Sequence, residues 1–169
     1  MPMILRTGNK AAGFTLVEVT IAIFITLVLM ALAVPSFVRS YNGALLGEMT
    51  RTFATTCQWA RIQAVSKQRP AIVHVDVTSQ KFWLTQAGRD DGADALPLKV
   101  VEMSARVALV RAERLDDKGG EPGGIEINFY PNGTCDAATV SFRGTERGSG
   151  LAVTLDPITA RGTVAPVKL

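Results

Sequence analysis

The side chains that could carry chemistry in this 169-residue chain are few and widely separated. The single histidine, His74, lies in the alternating stretch Ala71-Ile72-Val73-His74-Val75-Asp76-Val77, with no nucleophile and orienting acid at triad-like positions. A histidine on a strand surface is the simpler expectation. Cys57 and Cys135 are too far apart in sequence for a zinc site, which draws on closely spaced pairs plus histidines. Two readings of them stay open: buried free thiols, or one disulfide in an oxidising compartment. Arg89-Asp90-Asp91-Gly92-Ala93-Asp94 is acidic and carries a glycine, but it lacks the alternating ligands and distal glutamate of a calcium loop, so a solvated turn is expected there. Trp59, Phe82, Trp83 and Phe129 suit a core or an interface better than a base-stacking platform. These observations predict no catalytic site, no cofactor, no metal and no small-molecule substrate.

The remaining odd side chain is Glu18, the only ionisable group between Phe14 and Val38 in FTLVEVTIAIFITLVLMALAVPSFV. As a helix this block would be about 37 Å long, enough to cross a hydrocarbon core of about 30 Å. Arg6 and Lys10 precede it and Arg39 follows, so the positive-inside bias places the start of the chain in the cytoplasm and the rest outside. A plain anchor leaves Glu18 unexplained, since a carboxylate in hydrocarbon costs about 2.5 to 3.5 kcal/mol near the centre. A secretory signal cut after Ala33 fits Ala31-Leu32-Ala33, but the run is long, contains an acid and puts Pro35 almost at the cut.

Elsewhere the composition points to one globular domain, since the length allows a single core beside a membrane segment. The formal charge of +3 comes from 18 basic and 15 acidic residues. Without Arg6 and Lys10 the balance is 16 against 15, because residues 1–13 hold no acid. That small excess argues against a nucleic-acid partner, although Arg143, Arg147, Arg161 and Lys168 gather towards the C-terminus.

Gly13-Phe14-Thr15-Leu16-Val17-Glu18-Val19, after a short basic leader and opening an apolar helix, resembles the prepilin motif of type IV pilins and type II secretion pseudopilins. The resemblance implies cleavage after Gly13 by a prepilin peptidase, N-methylation of Phe14, and an assembly role for Glu18. Glycine suits the cut, having no side chain to obstruct a protease. Elementary electrostatics gives Glu18 a matching role: its charge becomes tolerable in a low-dielectric bundle if a cation of a neighbouring subunit, such as the new Phe14 amine, approaches it. Pro35 matches a common pilin position and is expected to bend the helix or open it locally rather than end it.

Beyond Asn42 and Gly43, Leu46, Met49, Phe53, Cys57, Ala60 and Ala64 recur at steps of three or four, with Glu48, Arg51, Thr55, Gln58 and Ser66 opposite. The spacing predicts an amphipathic helix whose apolar stripe is domain core, ending at Lys67-Gln68-Arg69-Pro70. After Pro70 the period becomes two. Ala71 to Val77 and Lys81 to Thr85 read as a hairpin turning at Thr78-Ser79-Gln80. Further strands are expected at Leu98 to Met103, Arg106 to Arg111, Gly124 to Tyr130, Thr139 to Phe142, Leu151 to Leu155 and Thr163 to Val167. Asp116 to Gly124 reads as a flexible loop.

Three stretches resemble the GspH/FimT branch: Trp59-Ala60-Arg61-Ile62-Gln63-Ala64, the hairpin Ile127 to Thr134 with its Pro131-Asn132-Gly133 turn, and the terminal hairpin Leu155 to Val164. Ala160 departs from that branch, where glycine before the arginine is more typical. The expected architecture is α+β and pilin-like: one long N-terminal helix, first transmembrane and then amphipathic, packed on an antiparallel sheet domain. Its expected parts are a leader at 1–13, a transmembrane assembly helix at 14–38, an amphipathic helix at 39–69 and a β-rich periplasmic domain at 70–169. The resemblance implies a GspH-like minor pseudopilin, a structural subunit of the type II secretion pseudopilus that supports protein export, or alternatively a FimT/FimU-like minor pilin of a type IV pilus, a group that includes DNA-binding members. Its implied partners are a prepilin peptidase, other pseudopilins or pilins and an inner-membrane assembly platform, with a single pass through the inner membrane.

Overall fold

The computed structural model describes residues 13–86, 97–115, 123–144 and 150–168. The chain divides into two compact units, Met1–Val38 and Arg39–Leu169. One helix, α1, spans Leu16–Lys67 and runs without interruption through Pro35.

In the first unit Leu16–Val34 is long and apolar enough to cross a membrane, and none of it is buried within the protein. At 1.5 Å per residue its 19 residues reach about 28 Å. Thr20 and Thr26 donate their hydroxyls to the carbonyls of Leu16 and Ala22, each at 2.8 Å, so neither leaves a polar group bare.

The second unit builds its core on the later part of α1. Leu46, Phe53, Cys57, Ala60 and Ala64 are buried as the spacing predicts, Met49 packs against them, and Glu48, Arg51, Thr55, Gln58 and Ser66 face solvent. The helix stops where Gln68 turns to a φ of 53°, Arg69 donates its amide to Ala64, and Pro70 removes the next donor.

Eight strands follow: β1 (Ala71–Asp76), β2 (Lys81–Gln86), β3 (Lys99–Glu102), β4 (Val107–Arg114), β5 (Gly124–Phe129), β6 (Ala138–Gly144), β7 (Gly150–Leu155) and β8 (Gly162–Val167). They form two antiparallel four-stranded sheets, ordered β3-β2-β1-β5 and β4-β6-β7-β8, as the expected antiparallel sheet domain. The sheets approach each other at β5 and β4, leaving β3 and β8 outermost.

The Asn-Gly turn explains the split. Gly133, at φ 86°, closes a tight turn in which its amide reaches the Tyr130 carbonyl and the Tyr130 amide reaches Thr134. Pairing then continues through the isolated bridge Phe129↔Cys135 and the Asp136 amide on the Asn128 carbonyl, after which the chain enters β6 beside β4. The expected hairpin is therefore a short corner that hands the chain from one sheet to the other.

Contacts made by Phe53, Gln80 and Asp136 help to join the layers. Phe53 of α1 meets Phe82 of β2 edge-on at 5.2 Å and Phe142 of β6 at 5.5 Å, wedging both sheets onto one helix. Gln80, in the β1–β2 turn, donates to the Leu109 carbonyl of β4 and accepts from the Leu109 amide, both at 2.8 Å. Its amide thus stands in for a ladder partner beside the bulge between Leu109 and Arg111. Asp136, buried in the crossing segment, accepts from the amide and side chain of Asn128 and from the Tyr130 hydroxyl, with the Arg114 guanidinium 3.7 Å away.

Candidate assembly site on the N-terminal helix

Gly13 and Phe14 lie just ahead of α1, both exposed, and a side chain added at Gly13 would meet nothing within 4 Å. Thr15 caps the helix: its hydroxyl accepts the Glu18 amide at 3.2 Å. Thr15-Leu16-Val17-Glu18 therefore carries the Thr-x-x-Glu pattern of a capping box, a local signal that the sequence reading passed over. Both placements serve an acid here, since a negative charge in the first turn also complements the helix dipole.

Phe14, Glu18, Ala22 and Thr26 follow one another at four-residue steps, with Val19, Ile23 and Leu27 in the adjoining row. Together they line a shallow, almost wholly apolar groove whose one charged side chain is Glu18. Ala22 and Thr26 keep this strip low between bulkier neighbours, which lets another helix come close. Among the described residues the Glu18 carboxylate has no hydrogen-bond or ionic partner. An apolar helix surface carrying one unpaired acid, beside an open glycyl bond, is suited to helix association directed by a cation.

The other sequence candidates do not converge with this strip. Cys57 and Cys135 are free thiols, both buried in the core of the second unit. His74, expected without a partner, has several. Its Nε2 lies 2.7 Å from the Thr85 hydroxyl and its Nδ1 3.1 Å from Glu126, and its ring stacks on Trp83 at 5.0 Å. The register explains this, because Trp83, His74 and Glu126 stand directly opposite one another across β2, β1 and β5. They border an open depression on the outer face of that sheet. No group of three or more metal-ligating side chains occurs among the described residues. Residues 89–94, weighed for calcium, lie outside the described residues, as do Arg147, leader residues 1–12 and most of the loop expected at 116–124. Arg143, Arg161 and Lys168 are exposed.

Ala160 adopts φ 51° while almost fully buried, within a turn where its amide donates to the Asp156 carbonyl. That left-handed backbone is the physical reason glycine is the more natural residue there.

Residues 8–34 match the family described as "Prokaryotic N-terminal methylation motif", and residues 49–159 match "Type II transport protein GspH". No curated protein matches the chain. Among solved structures, the minor pseudopilin EpsH from the type 2 secretion system of Vibrio cholerae is similar at 15% identity and TM-score 0.54, over 73% of this chain and 96% of that one. A second EpsH structure is similar at 12% identity and TM-score 0.53, over 74% and 97%. The type IV minor pilin FimU of Pseudomonas aeruginosa is similar at 18% identity and TM-score 0.50, over 72% and 93%. These likenesses establish a shared pilin-like fold.

Proposed function

Because the chain belongs to the Type II transport protein GspH family, we propose that it is a minor pseudopilin, a structural subunit of the type II secretion pseudopilus that supports protein export. The observation that carries this reading is the tandem match, a methylation motif over 8–34 followed by the GspH domain over 49–159. The role needs no catalysis by the subunit, only anchoring, processing and packing.

In this reading a prepilin peptidase cuts after Gly13, Phe14 becomes the methylated N-terminus, and α1 holds the subunit in the inner membrane with the strand domain in the periplasm. On extraction into a filament, Glu18 meets the Phe14 amine of a neighbouring pseudopilin and sets its register. The groove beside Glu18 supports this, because the unpaired acid is the one feature of an apolar surface that can select a partner's position. Pro35 gives α1 a place to bend during extraction.

Mass spectrometry of the mature chain tests the reading. A methylated N-terminal Phe14 is expected, whereas a start at Val34 would make this an ordinary secreted protein. A second reading, a FimU-like minor pilin of a type IV pilus, is supported by the FimU likeness. Deletion of the gene separates the two: loss of exoprotein release supports the pseudopilin, and loss of pilus-dependent motility with intact release supports the pilin.

A further inference from the structure

The proposed function leaves the two cysteines without a task, yet the fold has brought them into one core from distant parts of the sequence. Cys57 sits on the buried stripe of α1 between Phe53 and Ala60, completely enclosed. Cys135 stands at the bridge to Phe129 and is 5% exposed. One turn beyond Cys57, Arg61 donates its Nε to the Gly133 carbonyl at 3.1 Å, pinning α1 to the segment that carries Cys135. That segment is held from its other side by the Cys135 amide on Pro157 and the Cys135 sulfur 3.6 Å from the Asp156 carbonyl.

We propose that Cys57 and Cys135 are an intramolecular disulfide pair that closes while the domain folds outside the cytoplasm. The chemistry requires a protein disulfide as oxidant. A chain thiolate attacks one sulfur of a thiol–disulfide oxidoreductase, whose second sulfur leaves as thiolate. The other chain thiolate then attacks the mixed disulfide, forming the Cys57–Cys135 bond and releasing the oxidoreductase as a dithiol, which carries away two electrons and two protons.

Burial sets the timing. Once folded, desolvation pushes the Cys135 thiol up to about 11, with Asp136 and Asp156 adding to the rise, and raises Cys57 further still through burial and the nearness of Cys135. At neutral pH Cys135 therefore stays a protonated thiol, and Cys57 is fully enclosed, out of reach of an oxidant. Closure must therefore precede docking of α1. A bond made then closes a long loop, raising the folded-to-unfolded ratio by about a thousandfold through chain entropy.

The pairing half of this inference does not depend on the proposed compartment, so two measurements separate them. The full-length chain, reduced and unfolded in urea, is refolded in detergent with a glutathione redox buffer. An intramolecular bond is expected, read as a mass lower by two hydrogens with no thiol open to maleimide in SDS. Thiols that stay open, or a disulfide-linked dimer, overturn the pairing. In cells, acid-quenched membranes labelled in SDS without reductant are expected to show both thiols blocked. Open thiols there, with closure in the refolding buffer, would overturn the extracytoplasmic placement. The same oxidant added to the folded, reduced chain is expected to act at least a hundredfold more slowly than in urea; equal rates would overturn the proposed order of events.

Discussion

Substituting Gln80 by alanine isolates the tie between the two sheets. Its amide nitrogen donates to the carbonyls of Val77 at 2.6 Å and Leu109 at 2.8 Å, and its oxygen accepts the Leu109 amide. Alanine removes three hydrogen bonds and strands the amide and carbonyl of the buried Leu109. At about 1 kcal/mol per lost bond, and up to about 3 for each buried group left unpaired, the partly buried site predicts a loss of about 3 kcal/mol. With a urea dependence of about 2 kcal/mol per molar, the unfolding midpoint should fall by about 1.5 M, read from tryptophan fluorescence of the full-length chain in detergent. Two further variants sharpen the test. Gln80 holds φ 54°, so glycine should recover about 1 kcal/mol of the alanine loss by relieving that backbone. Glutamate keeps the acceptor for Leu109 but aims negative charge at two carbonyls, which raises its folded pKa. Its stability should approach that of the native chain at acid pH and fall as pH rises through that pKa. An alanine variant within 0.5 kcal/mol of the native chain would refute the idea that Gln80 holds β4 against the first sheet.

Other expectations are independent of that site. Glu18→Ala should leave cleavage after Gly13 intact while reducing crosslinking to neighbouring pilin-like helices at least tenfold; undiminished crosslinking would remove the assembly role. Phe53→Ala should cost about 3 to 5 kcal/mol in urea unfolding, because the ring is fully buried and touches Phe82 and Phe142 at once. Gly124→Ala would place a methyl 2.7 Å from the Val75 carbonyl, a backbone atom that cannot step aside, and should cost about 1 to 3 kcal/mol by the same assay. Asp156 is held below its usual carboxylate range, first by the Thr159 hydroxyl and then by the Ile158 amide. A depressed folded pKa stabilises above the unfolded value and is lost as pH falls through the folded one, so Asp156→Asn should flatten the stability profile below about pH 4.

The elements were largely legible because their periods differ. The three-to-four spacing from Leu46 to Ala64 named the buried face of α1, and the alternation after Pro70 located the strands to within a few residues at their ends. The partition into two sheets was not legible, since an Asn-Gly turn signals a reversal and does not say whether pairing persists beyond it. The burial pattern of β5 and β6 is set by tertiary neighbours, and nothing local marks Asp136 as the group that satisfies the crossing. Gln80 and the partners of His74 were hidden for the same reason: each depends on cross-strand register, and Leu109 is 29 residues away from Gln80. At the assembly strip the residue types were readable, whereas the cap made by Thr15 was overlooked although its pattern is local.

The outermost strands bear on life in a crowded filament. Sheets that end in regular ladders invite another chain to add itself, and subunits lined up along a fibre meet their neighbours' borders at very high local concentration. Here one border, β3, is only four residues long and begins and ends in charge with Lys99 and Glu102. The other, β8, has a proline at 166, which deprives an incoming strand of a donor. Both borders therefore resist the addition of a further strand, so copies and relatives held side by side are kept from joining sheet to sheet.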